Sequence, residues 1–506
     1  MRLTLKHITA ICLITFCIPL HSEERSGQMI DMAQPVVATV GNIEFRECIV
    51  EAESRDRTMQ CAWHEVPENY SQPDGEKIRL FIARIPAKKS NKALEPMLLL
   101  AGGPGQAASE AYLHWDKIFA DLAKERDFYL IDQRGTGHSN YLGCENTKSD
   151  ESLLLGQTDP ELVKELTLQC LKELPGDPRF YTTSVAISDF ERVRNALDIQ
   201  RWNLFGVSYG TRVAIHYLRR HPASIRSAIL DSTVPPNHVL GSEVAFRSQN
   251  ILDHLYERCR RNDECNTRFP DLEKEVNTLF SQLKKSPVEI HAENFSTGEM
   301  EDITFTHDYL VMLVRLYLYH TQSSALLPPM LHEATANDNF APMARATISV
   351  TSTMNEQLSP GMHNAVTCTE DIPFFEDDKT LQKKNADSYM GVEFLNNFRA
   401  ACSVWPRGVM DEDFKQPLES DLPVLLFSGE YDPITPPEYA EEILKGLSNA
   451  KHLVLKGYGH SVSIEGCAPY IVETFVNNAG VEGLNTSCLD RLNEAPLFVN
   501  FNGPLP

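Results

Sequence analysis

Trp202-Asn203-Leu204-Phe205-Gly206-Val207-Ser208-Tyr209-Gly210 decides how the rest of the chain is read. A short apolar run leads into a G-x-S-x-G turn, and a helix is expected over Thr211–Arg220. Strand, sharp turn and helix in that order are the setting of a nucleophile elbow. Such a turn strains the residue at its tip and leaves no room for bulk beside it, a need that Gly206 and Gly210 meet. Ser208 would stand exposed at the helix N-terminus, where aligned peptide dipoles favour developing negative charge.

Working outward, Pro96–Ala101 is a continuous apolar run ending at Gly102-Gly103-Pro104-Gly105. That pattern predicts a fully buried strand feeding a glycine loop. Backbone N–H groups of such a loop can point into a cleft unobstructed, which suits an oxyanion site. No Gly-Lys-Ser/Thr follows, so a phosphate loop is disfavoured. A helix near Glu110–Lys124 precedes a second buried strand, Phe128–Ile131, which runs into Asp132-Gln133-Arg134-Gly135-Thr136-Gly137-His138-Ser139. Asp132 and Arg134 are expected to pair and to pin loops beside the site. His138 precedes the serine and is not expected to be the base. Lys77–Pro86 alternates polar and apolar, as a strand with one solvated face does. Ile187–Ile199 has helical spacing, Ile225–Asp231 reads as a strand, and residues 23–60 give little.

Downstream, the alternation of buried strand and helix stops from about 236 to 415, where helical patterns dominate at Glu243–Cys259, Leu272–Lys284 and Tyr309–His320. An inserted, mainly helical cap over the strand ends is expected there. Strands resume at Pro423–Ser428, followed by Gly429-Glu430-Tyr431-Asp432, and at His452–Leu455, followed by Gly457-Tyr458-Gly459-His460. An acid after one strand and a histidine after the next complete a serine–acid–histidine order. Asp432 would hold the His460 imidazole in the tautomer that takes the Ser208 proton; Glu430 is the rival acid.

Length and charge bound the partners. A chain of 506 residues with a formal net charge of -23 argues against nucleic acid and anionic membrane. Arg2, Lys6 and the apolar Ile8–Leu20, with cleavage near Ser22, read as an export signal, too short for a comfortable membrane span. A periplasmic or secreted protein is expected. Ten of the 12 cysteines lie beyond that signal, an even number consistent with disulfides, and pairing of neighbours in chain order is expected. No C-x-x-C or zinc-like spacing occurs, so neither a metal nor a cofactor is expected. The chain divides into a signal (1–22), a first part of the core (23–235), the cap (236–415), a second part of the core (416–480) and a tail (481–506).

From Cys61 to about Val476 these motifs, in this order, resemble the α/β-hydrolase peptidases of the proline iminopeptidase and tripeptidyl aminopeptidase group, peptidase family S33. The stretch Pro423–Gly459 looks like the C-terminal segment of secreted tripeptidyl aminopeptidases. The resemblance implies an α/β-hydrolase fold: a mostly parallel central sheet flanked by helices, with an inserted mainly helical cap. It implies Ser208 as nucleophile, His460 as base, Asp432 as its orienter, and the backbone N–H groups of Gly103 and Tyr209 as oxyanion donors. One departure is Ala101, where proline iminopeptidases usually carry histidine; it weakens a proline-specific reading. A substrate ammonium needs a paired carboxylate, and Glu370 and Asp371, beside Cys368, are the candidates. The expected activity is that of an exported serine aminopeptidase acting on peptides with a free N-terminus. A carboxylesterase with the same triad is the alternative, disfavoured by Gly-Gly-Pro-Gly in place of an HGGG-type loop. A non-catalytic binding protein would require a broken triad.

Overall fold

A computed structural model describes residues 34–503, apart from 53–54, 90–93, 117, 145–158, 294–299 and 377. The expected signal at 1–22 lies outside the described residues. The strands are β1 (Val36–Val40), β2 (Ile43–Ala52), β3 (Arg55–Pro67), β4 (Lys77–Ile85), β5 (Met97–Leu100), β6 (Phe128–Ile131), β7 (Trp202–Val207), β8 (Ile225–Asp231), β9 (Val288–Glu293), β10 (Met300–Phe305), β11 (Val424–Gly429) and β12 (Ala450–Leu455). Ten of them form one sheet in the order β1-β2-β3-β4-β6-β5-β7-β8-β11-β12. From β6 to β12 the neighbours run parallel, and β1 to β4 add an antiparallel wing.

Period two sorts the apolar runs into two cores. Leu98, Leu100 and Leu204 face one side with Phe190, Val213 and Tyr217 from the helices Thr183–Ala196 and Tyr209–Arg220. Met97, Leu99, Phe205 and Val207 face the other, with Tyr112 from Ala108–Trp115 and Ile471 and Phe475 from Ala468–Asn478. Strands buried on both faces read as unbroken apolar runs for this reason. β1 and β2 pair as a hairpin within the stretch that reads as featureless; β1 is largely exposed or half-buried, so burial imposes no alternation on it.

The central strand β5 has β6 on one side and β7 on the other. The chain thus reverses its direction of travel across the sheet at the carboxyl ends of β5 and β7. Open α/β sheets leave a ligand crevice at such a switch. The glycine loop leaves β5 there, and Ser208 leaves β7.

Between β8 and β11 lies a mainly helical insertion with its own apolar core, including Leu252, Tyr256, Leu279, Leu313 and Leu331. It also holds the two-stranded β9–β10 pair, which helical spacing does not foresee. Its last part behaves differently: Met362, Ala365 and Val366 join the sheet core that contains Leu98. The C-terminal tail folds back on the insertion, where Leu497 enters its core and Phe498 N–H donates to Ala325 O at 3.0 Å. Ten cysteines join as Cys48–Cys61, Cys144–Cys170, Cys259–Cys265, Cys368–Cys402 and Cys467–Cys488, neighbours in chain order as expected. Among the described residues no helix is long and apolar enough to cross a membrane.

The elbow glycines carry a sharp prediction. A Cβ on Gly210 would lie 2.1 Å from Leu100 O and 2.7 Å from Ala101 O. Both obstacles are backbone of a buried strand end, so neither can swing away. Gly210→Ala is expected to destabilise the protein by about 3 kcal/mol or more, read as a lowered urea midpoint.

Candidate active site

Ser208 sits between β7 and the helix Tyr209–Arg220 with φ 55° and ψ -124°, a conformation L-residues rarely adopt. The turn survives because its neighbours are minimal. A Cβ on Gly206 would meet Gly210 O at 2.5 Å, and one on Gly102 would lie 3.4 Å from Ser208 Cβ. Strand β8 also steadies the turn, with Ser208 N–H donating to Asp231 O at 2.9 Å. The glycine loop therefore lies directly against the serine. Tyr209 opens the helix, so its N–H has no intrahelical acceptor. Among the described residues no backbone carbonyl takes the Gly103 N–H. Both amides are thus without a backbone acceptor, one on the residue after Ser208 and the other in the loop that lines the same cavity as the serine.

His460 and Asp432 meet as the sequence order anticipates. His460 Nδ1 lies 2.8 Å from Asp432 Oδ2, and both side chains are buried. Asp432 also accepts from Thr435 Oγ1 at 2.7 Å and from the Ile434 and Thr435 N–H groups at 2.9 Å. Burial alone would raise the Asp432 carboxyl, but the His460 charge and these hydrogen bonds bring it down to about 2. Burial would lower His460; the Asp432 charge and hydrogen bond, helped by Asp231, instead raise it above 6.5. The rival acid, Glu430, accepts the Gly457 N–H at 2.9 Å and braces the loop before the histidine.

Two supports were not foreseen. Asp231, buried at the end of β8, accepts from the Val462 and Ser463 N–H groups and from Ser463 Oγ, at 3.0, 2.8 and 2.6 Å. The insertion reaches the same loop: His460 N–H donates to Tyr319 O at 2.6 Å, and the two rings meet edge-on at 5.3 Å. A charged residue closing the apolar run Ile225–Asp231 was the available signal for the first. The second has no local signal.

Gly103, Ser208 and His460 line one cavity of about 1210 Å³, whose opposite wall is the insertion, with Arg315, Phe394 and Phe398 among its residues. Glu370 and Asp371 do not line it, which corrects their expected place at a substrate ammonium. Both are fully buried. Glu370 accepts from Thr183 N–H at 2.7 Å and Thr183 Oγ1 at 2.9 Å, and Thr183 Oγ1 is 2.6 Å from Tyr209 Oη. Asp371 pairs with Arg212 at 2.9 and 3.1 Å and accepts the Leu240 N–H. Arg212 rides on the elbow helix, so the acidic pair anchors the insertion to the nucleophile's own helix. A second correction concerns Arg134, which pairs with Asp189 at 2.6 and 2.7 Å and not with Asp132. Asp132 accepts from Ser109 and from the His138 N–H.

Residues 95–466 match the family described as alpha/beta hydrolase fold. A tripeptidyl aminopeptidase of Streptomyces coelicolor is 23% identical over 508 residues, covering 94% of this chain and 91% of that protein. A putative hydrolase of Escherichia coli K12 is 24% identical over 470 residues, covering 86% and 90%. A proline iminopeptidase of Aeromonas sobria is 26% identical over 229 residues, covering 44% and 48%. The resemblance to S33-like peptidases read from the motifs is carried by these relatives.

The buried anchor gives a stability test. Arg212→Met leaves Asp371, at zero exposure, with only the more distant Lys415, 3.8 Å away, to balance its charge. Chemical unfolding should register a loss of about 3–5 kcal/mol, with much of it recovered in Arg212→Met/Asp371→Leu. Equal losses in the single and double variants would contradict the pairing.

Proposed function

The chain belongs to the alpha/beta hydrolase fold family, and on that premise we propose that it is an exported serine aminopeptidase using Ser208, His460 and Asp432. The observation that carries this reading is the buried 2.8 Å contact between His460 and Asp432, opening on the cavity that Ser208 also lines. Ser208 Oγ attacks the scissile carbonyl and its proton passes to His460 Nε2. Asp432 accepts the Nδ1–H bond and stabilises the imidazolium. The Gly103 and Tyr209 N–H groups hold the oxyanion. His460 then gives its proton to the leaving amine, and water, deprotonated by the same ring, releases the acyl group.

The amine-recognition part is tied to the insertion as a cap that limits substrate length. Glu393, on its cavity wall, has no ion-pair partner among the described residues and replaces Glu370 and Asp371 as the carboxylate proposed for a substrate ammonium. Five disulfides and a relative named tripeptidyl aminopeptidase support export and a peptide substrate.

Unblocked aminoacyl or tripeptidyl amides should be cleaved, and their N-acetylated forms should not; equal turnover of both would remove amine recognition. Turnover of esters alone would favour the carboxylesterase reading. Because His460 must be neutral to accept the proton, and its pKa lies above 6.5, kcat/KM should fall on the acid side with an apparent pKa above 6.5. Asp432→Asn should lower kcat by roughly 10⁴-fold. An acid limb below 6.5 would contradict the charge pairing.

A further inference from the structure

The cavity wall that faces Ser208 carries a cation, Arg315, that forms no ion pair among the described residues. Arg315 Nη2 donates to Tyr319 Oη at 3.2 Å, and its Nε is buried without a hydrogen-bond partner. Among the described residues no carboxylate lies within ion-pair distance of the guanidinium. Its orientation is nonetheless fixed: Cζ stands 4.6 Å over the Phe394 ring and 5.9 Å from the Tyr319 ring. A guanidinium held over an aromatic face offers a fork of N–H donors to a planar anion. Two fully buried arginines, Arg134 and Arg212, contrast with Arg315, since each is paired with an acid, Asp189 or Asp371.

The wall continues from Arg315 toward the oxyanion loop. Phe394 meets Phe398 edge-on at 4.8 Å, and Phe398 stacks on His363 at 5.6 Å. His363 Nδ1 lies 3.2 Å from Pro104 O, next to Gly103. Since a carbonyl only accepts, Nδ1 carries the proton and donates. Nε2 is then an acceptor, and it is buried without a partner. Burial pushes the His363 pKa down, which agrees with a neutral ring. The wall thus presents an apolar aromatic strip with an unused acceptor at one end and an unused cation at the other.

Distance limits what the cation can read. The Tyr319 ring, 5.9 Å from Arg315 Cζ, is 5.3 Å from the His460 ring. Those two steps span no more than about three residues of extended chain at ~3.3 Å each. An ammonium would be repelled there, and a neutral group would displace cavity water from the guanidinium without replacing its charge.

We infer that Arg315 is a specificity-determining residue that binds a carboxylate of the substrate, within about three residues of the scissile bond. The substrate is then a short acidic or free-acid peptide. This rests on the peptidase reading above, and binding separates the two claims. The Ser208→Ala protein is titrated calorimetrically with trialanine, trialanine amide and Ala-Glu-Ala amide. At least tenfold tighter binding of trialanine than of its amide assigns the carboxylate to the C-terminus; the same gain for Ala-Glu-Ala amide assigns it to a side chain. Either preference should vanish in Ser208→Ala/Arg315→Met and survive in part in Ser208→Ala/Arg315→Lys. Equal affinities for all three peptides, no binding by any, or a preference that persists in the methionine variant would overturn the inference. Failure of the wild-type protein to cleave any of them, with the binding preference intact, would count against the peptidase reading alone.

Discussion

The backbone around Ser208 has no space to spare, and the site depends on that. Gly206 and Gly210 bring β7, its helix and the end of β5 to distances that no side chain could share, and Gly102 packs against the serine beside them. One consequence is geometric: Ser208 is pushed to positive φ and lifted from the strand end. Another is electrostatic. The same approach brings the glycine loop and the helix N-terminus to the serine together, the arrangement that the proposed oxyanion donors require. The strain at one residue is sustained by a sheet buried on both faces.

Around that fixed point the site is shared between two bodies of structure. The sheet supplies Asp432 and His460 from the ends of β11 and β12, with Asp231 tethering the loop beyond the histidine. The insertion supplies the Tyr319 carbonyl that holds the His460 N–H and the aromatic wall facing the serine. A buried ion pair between Arg212 and Asp371 fastens the insertion to the elbow helix. Movement of the insertion as a whole would therefore be felt both at the loop carrying His460 and at the helix that follows Ser208. The tail adds a third tie, since Glu494 engages Arg258 and His254 of the insertion near the loop that leads to His460.

Most of the central sheet was legible because its strands are doubly buried, and burial on two faces writes itself as an unbroken apolar run. Ser208, Asp432 and His460 stood out as candidates by their order and by the strand ends they follow, and His460 and Asp432 do meet. What escaped was whatever depends on partners distant in the chain. Arg212 lies in a helix that otherwise reads as ordinary, and its acid is 159 residues away. Glu370 and Asp371 were read as carboxylates for a substrate ammonium, because adjacent carboxylates are costly to bury without a partner; the fold accepts that cost by giving one an arginine and the other two donors from Thr183. Asp132 and Arg134 were paired on proximity alone, and Asp189 proved the better-placed acid. The β1–β2 hairpin and the β9–β10 pair left weak traces: β1 is largely exposed, β2 interleaves its buried Ile43, Phe45, Cys48 and Val50 with exposed residues, and β9–β10 is a two-stranded pair apart from the main sheet.

The central claim is that Ser208 is the one hydroxyl made nucleophilic by this architecture. Labelling the folded protein with an organofluorophosphonate, followed by intact-mass and peptide mass spectrometry, tests it directly. The account predicts a single adduct on the peptide containing Ser208, lost in His460→Ala protein that retains its fold. An adduct on another serine, or none on folded protein at a pH where the histidine is neutral, would contradict it.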